Sequence, residues 1–492
     1  MRAETGVSGA YGAYGTMSDV TDPASTDLAP TRVVIIGGGP GGYEAALVAR
    51  QLGAEVTVVT RDGMGGSAVL TDCVPSKTLI ATADVVTRAR ESGALGVRIE
   101  GLTPRRESLS VDLGAVNDRV KRLARAQSDD ISERLVRDGV RLIDGTGRCS
   151  GPTRVTATLP DGSAEYLDAD VVLVATGARP RVIAGAEPDG ERILNWEQIY
   201  DLVELPTRLI VVGSGVTGAE FASAYNALGS DVVLISSRDR VLPGEDPQAA
   251  EVIEGVFRRR GMTVLSQRRA ASVRRTDHGV AVMLADGTEI EGSHALMAVG
   301  SVPNTEDLGL DDTGVATDEH GFIRVDRVSR TSARGIYAAG DCTGMLMLAS
   351  VAAMQGRIAM WHALGDAVAP LDRTTVSSNI FTDPEIATVG CTQADVDSGA
   401  VRAVSVMLPL ATNARAKMMG IEDGFVKLFA RRSSHLVAGG VVVAPGASEL
   451  IYPIAVAVEH RLTVDQLASS FAVYPSLAGS LAEAARRLHV HE

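Results

Sequence analysis

The strongest constraint on how this chain can fold is a local pattern that occurs twice. Val33-Val34-Ile35-Ile36 is a short β-branched run that leads into Gly37-Gly38-Gly39-Pro40-Gly41-Gly42 and then the helical pattern Tyr43 to Leu52. Leu209-Ile210-Val211-Val212 leads in the same way into Gly213-Ser214-Gly215-Val216-Thr217-Gly218 and the helical Ala219 to Leu228. Strand, GxGxxG and helix in this order are what a dinucleotide-binding unit needs. The glycines allow the tight turn, let backbone amides approach a pyrophosphate and let the helix pack on the strand, so the helix N-terminus meets the anion. One such motif is weak evidence. Two in one chain predict two nucleotide modules, with Gly37, Gly39 and Gly42 in the first and Gly213, Gly215 and Gly218 in the second.

Composition narrows the class further. A chain of 492 residues with 45% hydrophobic content predicts about three domains of roughly 150 residues. Four cysteines in that length do not make a secreted disulfide framework. The opening stretch to Thr31 is rich in Ala, Gly, Ser, Thr and Asp and lacks the basic start and apolar run of a signal peptide, so residues 1–30 are expected to be a disordered extension, with Met17 as an alternative start. The apolar stretch Val441 to Val458 is broken by Pro445, Gly446, Glu449 and Pro453, which rules against a membrane span. A soluble, cytoplasmic protein is expected. A net charge of −14 argues against general nucleic-acid binding. No metal site is expected, since the HxH of His489 and His491 reads as tail.

Residues Gly65 to Lys77, GGSAVLTDCVPSK, resemble the GGTCxxxGCxPSK segment of the flavoprotein disulfide reductases (lipoamide dehydrogenase, glutathione reductase, mercuric reductase), with Ala68 at the first cysteine and Cys73 at the second. Val171 to Gly177 is similar to the family's strand and ATG turn, Gly300 marks the return from the second module, and Ile336 to Asp341 matches the GD motif. Phe381 to Ala387 is similar to the start of the family's C-terminal interface domain. The resemblance implies an α/β fold: two Rossmann-like dinucleotide-binding domains, for FAD and NAD(P), plus a C-terminal α+β dimerisation domain. Its expected boundaries are residues 31–178 and 299–369 for the FAD domain, 179–298 for the NAD(P) domain and 370–492 for the interface domain. A homodimer is implied, each active site being completed by the neighbouring subunit.

The resemblance also assigns residues. FAD would be held by the first glycine turn, Thr60, Gly66, Ser67, Lys77, Thr176, Gly177, Asp341 and Ala349, with Asp341 bonding the ribityl chain. NADPH or NADH would be held by the second glycine turn, Ser236, Ser237, Arg238 and Gly300. The acidic residue that usually ends the second strand and grips a ribose is missing twice. Thr60 stands there in the first module, and Ser236, Ser237 and Arg238 stand there in the second, where two hydroxyls and a guanidinium accommodate a 2′-phosphate.

What remains of the family's catalytic parts is uneven. Lys77 and Glu220 survive as the ion pair expected beside flavin N5, where an ammonium supports the charge of a reduced flavin. The partner thiol does not survive, because Ala68 leaves Cys73 without a disulfide. Nor does the HxHPxxxE base: Tyr474 precedes Pro475 where histidine should stand, and Gly479 replaces the glutamate. A phenol, with an ordinary pKa of about 10, does not readily accept a thiol proton at neutral pH. The same Ala and Tyr-Pro replacements resemble those of cysteine-deficient NAD(P)H:quinone oxidoreductases. Electrons are therefore expected to pass from flavin directly to a planar, quinone-like acceptor, on which Tyr474 would stack. A soluble pyridine nucleotide transhydrogenase is an alternative, although its CTxxxTIPSK pattern is absent. A dihydrolipoamide dehydrogenase-like protein without lipoamide activity is another, and a nonenzymatic flavin scaffold a third.

Overall fold

The computed structural model describes residues 29–98 and 109–489. The extension expected over residues 1–30 lies, apart from its last two residues, outside them.

Both glycine motifs sit at the C-terminal end of the central strand of a five-stranded parallel sheet. In the first module the strand order is Ile336–Ala338, Val171–Val174, Arg32–Ile36, Glu55–Thr60 and Arg141–Asp144. The second runs Thr263–Leu265, Asp231–Ile235, Arg208–Val212, His294–Met297 and Ile193–Leu194. These strands are apolar on both faces because helices cover one side and further layers the other. Val33, Ile35, Leu209 and Val211 are all buried, as parallel strands require. An antiparallel ribbon of Ala178–Pro180 with Ser301–Pro303 carries the chain out of the first module and back again.

In the first module the helix Pro40–Gln51 packs on Ala349–Ala363 so closely that a side chain at Gly356 would collide with the Gly41 carbonyl. Glycine on both helices is what lets the start of Pro40–Gln51 lie against the middle of Ala349–Ala363.

The third layer is an antiparallel sheet, ordered Ser377–Ile380, Glu385–Gly390, Val437–Ala444, Phe425–Arg431 and Ala403–Pro409. One apolar core joins it to the rest. Leu79, Ala83 and Val86 of the helix Cys73–Glu91 meet Phe221, Ala222 and Tyr225 of the helix Val216–Leu228, and Phe425 and Phe429 of the third sheet. At about 1.5–3 kcal/mol for each large side chain buried, this cluster fixes the helix that carries Cys73 and Lys77 against the other two parts. Pro75 falls in the first turn of that helix, where its missing N–H is not needed. Among the described residues no helix is long and apolar enough to cross a membrane.

Candidate active site

The two glycine turns are built alike, and the likeness separates fold from ligand. A side chain at Gly37 would strike the Ala175 carbonyl, and one at Gly42 would strike the carbonyl of Gly37. In the second module Gly213 faces the Ala298 carbonyl and Gly218 that of Gly213. The protein itself thus demands the first and third glycines. Gly39 and Gly215 have nothing within 4 Å of where a Cβ would stand. Both are N-caps with no side chain to accept from the first turns of Pro40–Gln51 and Val216–Leu228; Pro40 carries no N–H and the Gly42 amide is taken by the Gly39 carbonyl at 2.8 Å. Open space above an uncapped helix N-terminus fits the close approach of a pyrophosphate.

The other expected flavin positions surround the first turn to different degrees. Gly66, at a positive φ of 55°, places its loop against the turn: a Cβ there would lie 2.8 Å from Gly39 Cα. Ser67 next to it is exposed. The Thr60 hydroxyl turns back and donates to the Gly63 carbonyl at 3.1 Å. Thr176 Oγ1 donates to the Asn304 carbonyl at 2.6 Å, and Asn304 Nδ2 returns a bond to the Thr176 carbonyl at 3.0 Å, which staples the exit turn, Gly177 included, to the returning strand. Ala349 opens the helix Ala349–Ala363, and Leu348 before it supplies no side-chain cap. Asp341 follows Gly340, whose amide donates to the buried Gln355 Oε1 at 2.9 Å. The Asp341 carboxyl has no hydrogen-bond or ion-pair partner among the described residues. Burial, and secondarily the charge of Asp72, lifts it to about 6. A partly buried acceptor without a partner suits a polyol.

Lys77 and Glu220, 143 positions apart, meet at 2.8 Å. Glu220 is 3% exposed, and its second oxygen accepts the Phe381 amide at 2.8 Å. The ammonium also lies 4.8 Å from the Phe381 ring centroid. Burial opposes the charge on Lys77, but Glu220 outweighs it and the lysine pKa is raised. The same helix begins with Cys73, whose thiol is pushed up to about 12 by burial and then by the neighbouring Asp72 charge. Ala68 lies in the short helix Gly66–Leu70, and Cys73, Cys149, Cys342 and Cys391 are all free. Cys342, next to Asp341, is buried and donates weakly to the Ala339 carbonyl.

In the second module the three residues after the strand Asp231–Ile235 do not behave as one group. Ser236 is fully buried: Ser214 Oγ donates to its hydroxyl at 2.7 Å, and that hydroxyl faces the Arg238 and Arg240 carbonyls. The contact expected of Ser236 with a phosphate therefore does not fit its side chain, which is consumed within the turn. Ser237 and Arg238 are exposed and line a cavity of about 530 Å³ with Gly213, Ile235, Arg268 and Arg269. Arg268 pairs with Asp286. Gly300, at a φ of 92°, lies just beyond Val299 on the same rim. Tyr474 is not among the hydrogen-bond or ring partners of the lysine pair in the described residues. It belongs to an exposed stretch in which Phe471 is 107%, Val473 79% and Tyr474 85% exposed. Among the described residues no group of three or more His, Cys, Asp or Glu is arranged to hold a metal.

Sequence reasoning missed Phe381, Asn304, Gln355 and Arg269 as parts of the site. The Arg268-Arg269 pair was visible, but nothing in a motif ties it to the second glycine turn.

Two nucleotide modules, a lysine–glutamate pair between them and a third, antiparallel layer define a class. The chain belongs to the pyridine nucleotide-disulphide oxidoreductases: the family model matches residues 31–356 and the family's dimerisation domain matches residues 376–485. Within that family it is 56% identical over 471 residues, 94% of each chain, to a protein of Mycobacterium tuberculosis named NAD(P)H dehydrogenase (quinone). It is 33% identical over 461 residues to dihydrolipoyl dehydrogenase 2 of Haloarcula marismortui, covering 92% of this chain and 96% of that one. The crystal structure of LpdA from Mycobacterium tuberculosis, 56% identical, superposes with a TM-score of 0.89 over 94% of this chain and all of that one.

Proposed function

We propose that this chain is an FAD-dependent NAD(P)H:quinone oxidoreductase that works without a redox disulfide. One observation carries the reading. The Lys77–Glu220 pair is intact at 2.8 Å while the dithiol beside it is reduced to a single thiol held up at about 12. Hydride machinery is retained where thiol exchange, which needs a thiolate and a second sulfur, is not.

When bound, flavin would supply the two-electron chemistry that links a nicotinamide to the acceptor. The protein's part is to bind and orient. Gly37, Gly39 and Gly42 hold the flavin pyrophosphate at the helix N-terminus, and Asp341 accepts from the ribityl hydroxyls. Gly66, Ser67, Thr60, Thr176, Gly177 and Ala349 shape the rest of that cleft. Lys77, kept cationic by Glu220, stabilises negative charge at the reacting end of the ring. Gly213, Gly215, Gly218 and Gly300 hold NADH or NADPH, and Ser237 and Arg238 face the 2′-phosphate of the latter. Tyr474 comes from a second copy of the chain in a homodimer and stacks on the quinone. The name and 56% identity of the mycobacterial relative, the dimerisation-domain match and the bare Phe471-Val473-Tyr474 surface support this assignment.

Stopped-flow mixing of the purified protein with NADPH, then with a quinone, NAD⁺ or lipoamide, tests it. Fast reoxidation by quinone is expected and slow reoxidation by lipoamide. Reoxidation by NAD⁺ in preference to quinone would make it a transhydrogenase, and a protein that binds no flavin would end the reading.

A further inference from the structure

We propose that Asp72 is the acid that delivers the proton a quinone takes up on reduction; the proposal rests on the quinone reading above. Asp72 stands where the GGTCxxxGCxPSK pattern has glycine. It occupies the N-cap of the helix Cys73–Glu91, where an aspartate ordinarily accepts bonds from the first amides, contributing about 1 kcal/mol. Here it does not: at a φ of −124° and ψ of −90° it makes no side-chain cap bond. Nor has its carboxyl any hydrogen bond or ion pair among the described residues, since Lys77, one turn along, is bound to Glu220. A partly buried carboxyl that neither caps nor pairs is not accounted for by the helix it precedes.

Its surroundings favour holding a proton. Cys73 and Lys77 face it from its own helix, Glu220 from Val216–Leu228, Asp341 from the turn after Gly340, and Glu197 and Tyr200 from the connection between Ile193–Leu194 and Arg208–Val212 of the second module. Three of these six are carboxyls and one is a cation already paired. Burial, opposed by the charge of Lys77 and reinforced by that of Glu220, raises the Asp72 carboxyl above its ordinary value.

The step balances. Reduction of a quinone to its hydroquinone takes one hydride equivalent, drawn from NAD(P)H, and one proton. The Asp72 O–H bond breaks as an O–H bond forms on the quinone oxygen, and water reprotonates the carboxylate. With Tyr474 and Gly479 in place of the family's histidine and glutamate, the chain needs another donor for the proton that a quinone oxygen takes up.

The test uses the flavin-loaded enzyme and two acceptors, a soluble benzoquinone that needs protons and ferricyanide that needs none. Asp72→Asn should lower the quinone-to-ferricyanide turnover ratio by on the order of a hundredfold, and Asp72→Glu should restore most of it. Wild-type quinone turnover should decline as pH rises through the Asp72 titration, with that limb missing in the Asn variant. Independently of turnover, the midpoint potential of the wild-type flavin should fall more steeply with pH over the same range. An unchanged ratio in Asp72→Asn, an equal loss with both acceptors, or a wild-type potential without the steeper segment would overturn the proposal alone. A wild-type enzyme that reduces ferricyanide but no quinone overturns the quinone reading and the proposal with it.

Discussion

Two lysines of this chain reach into the protein and meet a carboxylate at 2.8 Å, yet they stand in opposite kinds of place. Lys427 and Asp246 are sealed, with side chains 4% and 3% exposed. Every direction around that pair is filled. Lys427 also donates to Gln248 Oε1 at 2.9 Å and lies 5.4 Å from the Phe429 ring, while Asp246 accepts the Gln248 and Ala249 amides and caps the helix Pro247–Arg259. The pair ties the second module to the antiparallel sheet and has no capacity left over. Lys77 keeps 29% of its side chain exposed although Glu220 is 4% exposed. Its one carboxylate anchor leaves ammonium hydrogens for something the chain does not supply. The same chemical pair is structural when closed and available for chemistry when one side is left open.

Stability should separate the two most strongly. Removing one partner of a sealed pair leaves a buried charge, so Lys427→Ala should cost about 3–5 kcal/mol in urea denaturation. Lys77→Ala should cost less, because Glu220 keeps the Phe381 amide and gains access to water through the gap. Equal losses would mean that exposure of the lysine does not distinguish the pairs.

Activity should rank them in reverse. Lys77→Ala should lower quinone reduction by on the order of a hundredfold through loss of charge stabilisation, while Cys73→Ser, which removes the motif's only sulfur, should stay within about threefold of wild type because no thiolate is used. Steady-state NADPH:quinone assays on flavin-saturated proteins decide it. If the serine variant were dead and the alanine variant active, the electron path would run through sulfur.

The glycine turns were legible because much of their cause is local: a positive φ at the first glycine, its carbonyl in the way of a Cβ at the third and a helix start all fall within six residues. Lys77 and Glu220 were legible only through resemblance, since no periodicity brings together positions 77 and 220. Phe381 was out of reach for the same reason, its amide finding Glu220 only once the third sheet has docked. The residues after Ile235 failed differently. The strand Asp231–Ile235 is buried on both faces after its first residue, so no in-out alternation marked which following side chain would turn inward. Ser236 did, and Ser237 did not. The charge-repulsion test of cofactor choice therefore belongs at Ser237. Ser237→Glu should shift the NADPH/NADH ratio of kcat/KM toward NADH by about 1–3 kcal/mol, with Arg238→Ala acting in the same direction. Ser236→Glu should instead yield poorly folded protein, because its charge would be buried among carbonyls. An unmoved cofactor ratio in Ser237→Glu would remove Ser237 from the phosphate contact.

The smallest effect concerns a carboxyl that has burial without a bonded cation, the case neither lysine pair presents. Asp84, on the same helix as Lys77, forms no salt bridge among the described residues. Burial, then the charge of Asp383, lifts it to about 6 against the opposing Arg88 and Arg260, and Arg260 is itself bound to Asp383 at 2.9 Å. A carboxyl whose folded pKa is raised contributes stability while it is protonated. That contribution is complete below its ordinary value of 3.8 and is lost as pH rises through about 6. Asp84→Asn cannot lose it. The variant should match wild type at pH 4 and exceed it at pH 7 by on the order of 1 kcal/mol once solvent screening of this partly exposed group is allowed for. Urea midpoints at the two pH values measure the difference. An Asn variant no more stable at pH 7 than at pH 4, relative to wild type, would show that Arg88 and Arg260 compensate the charge without a direct bond, and that a closed geometry like that of Lys427 is not needed to hold a buried carboxylate here.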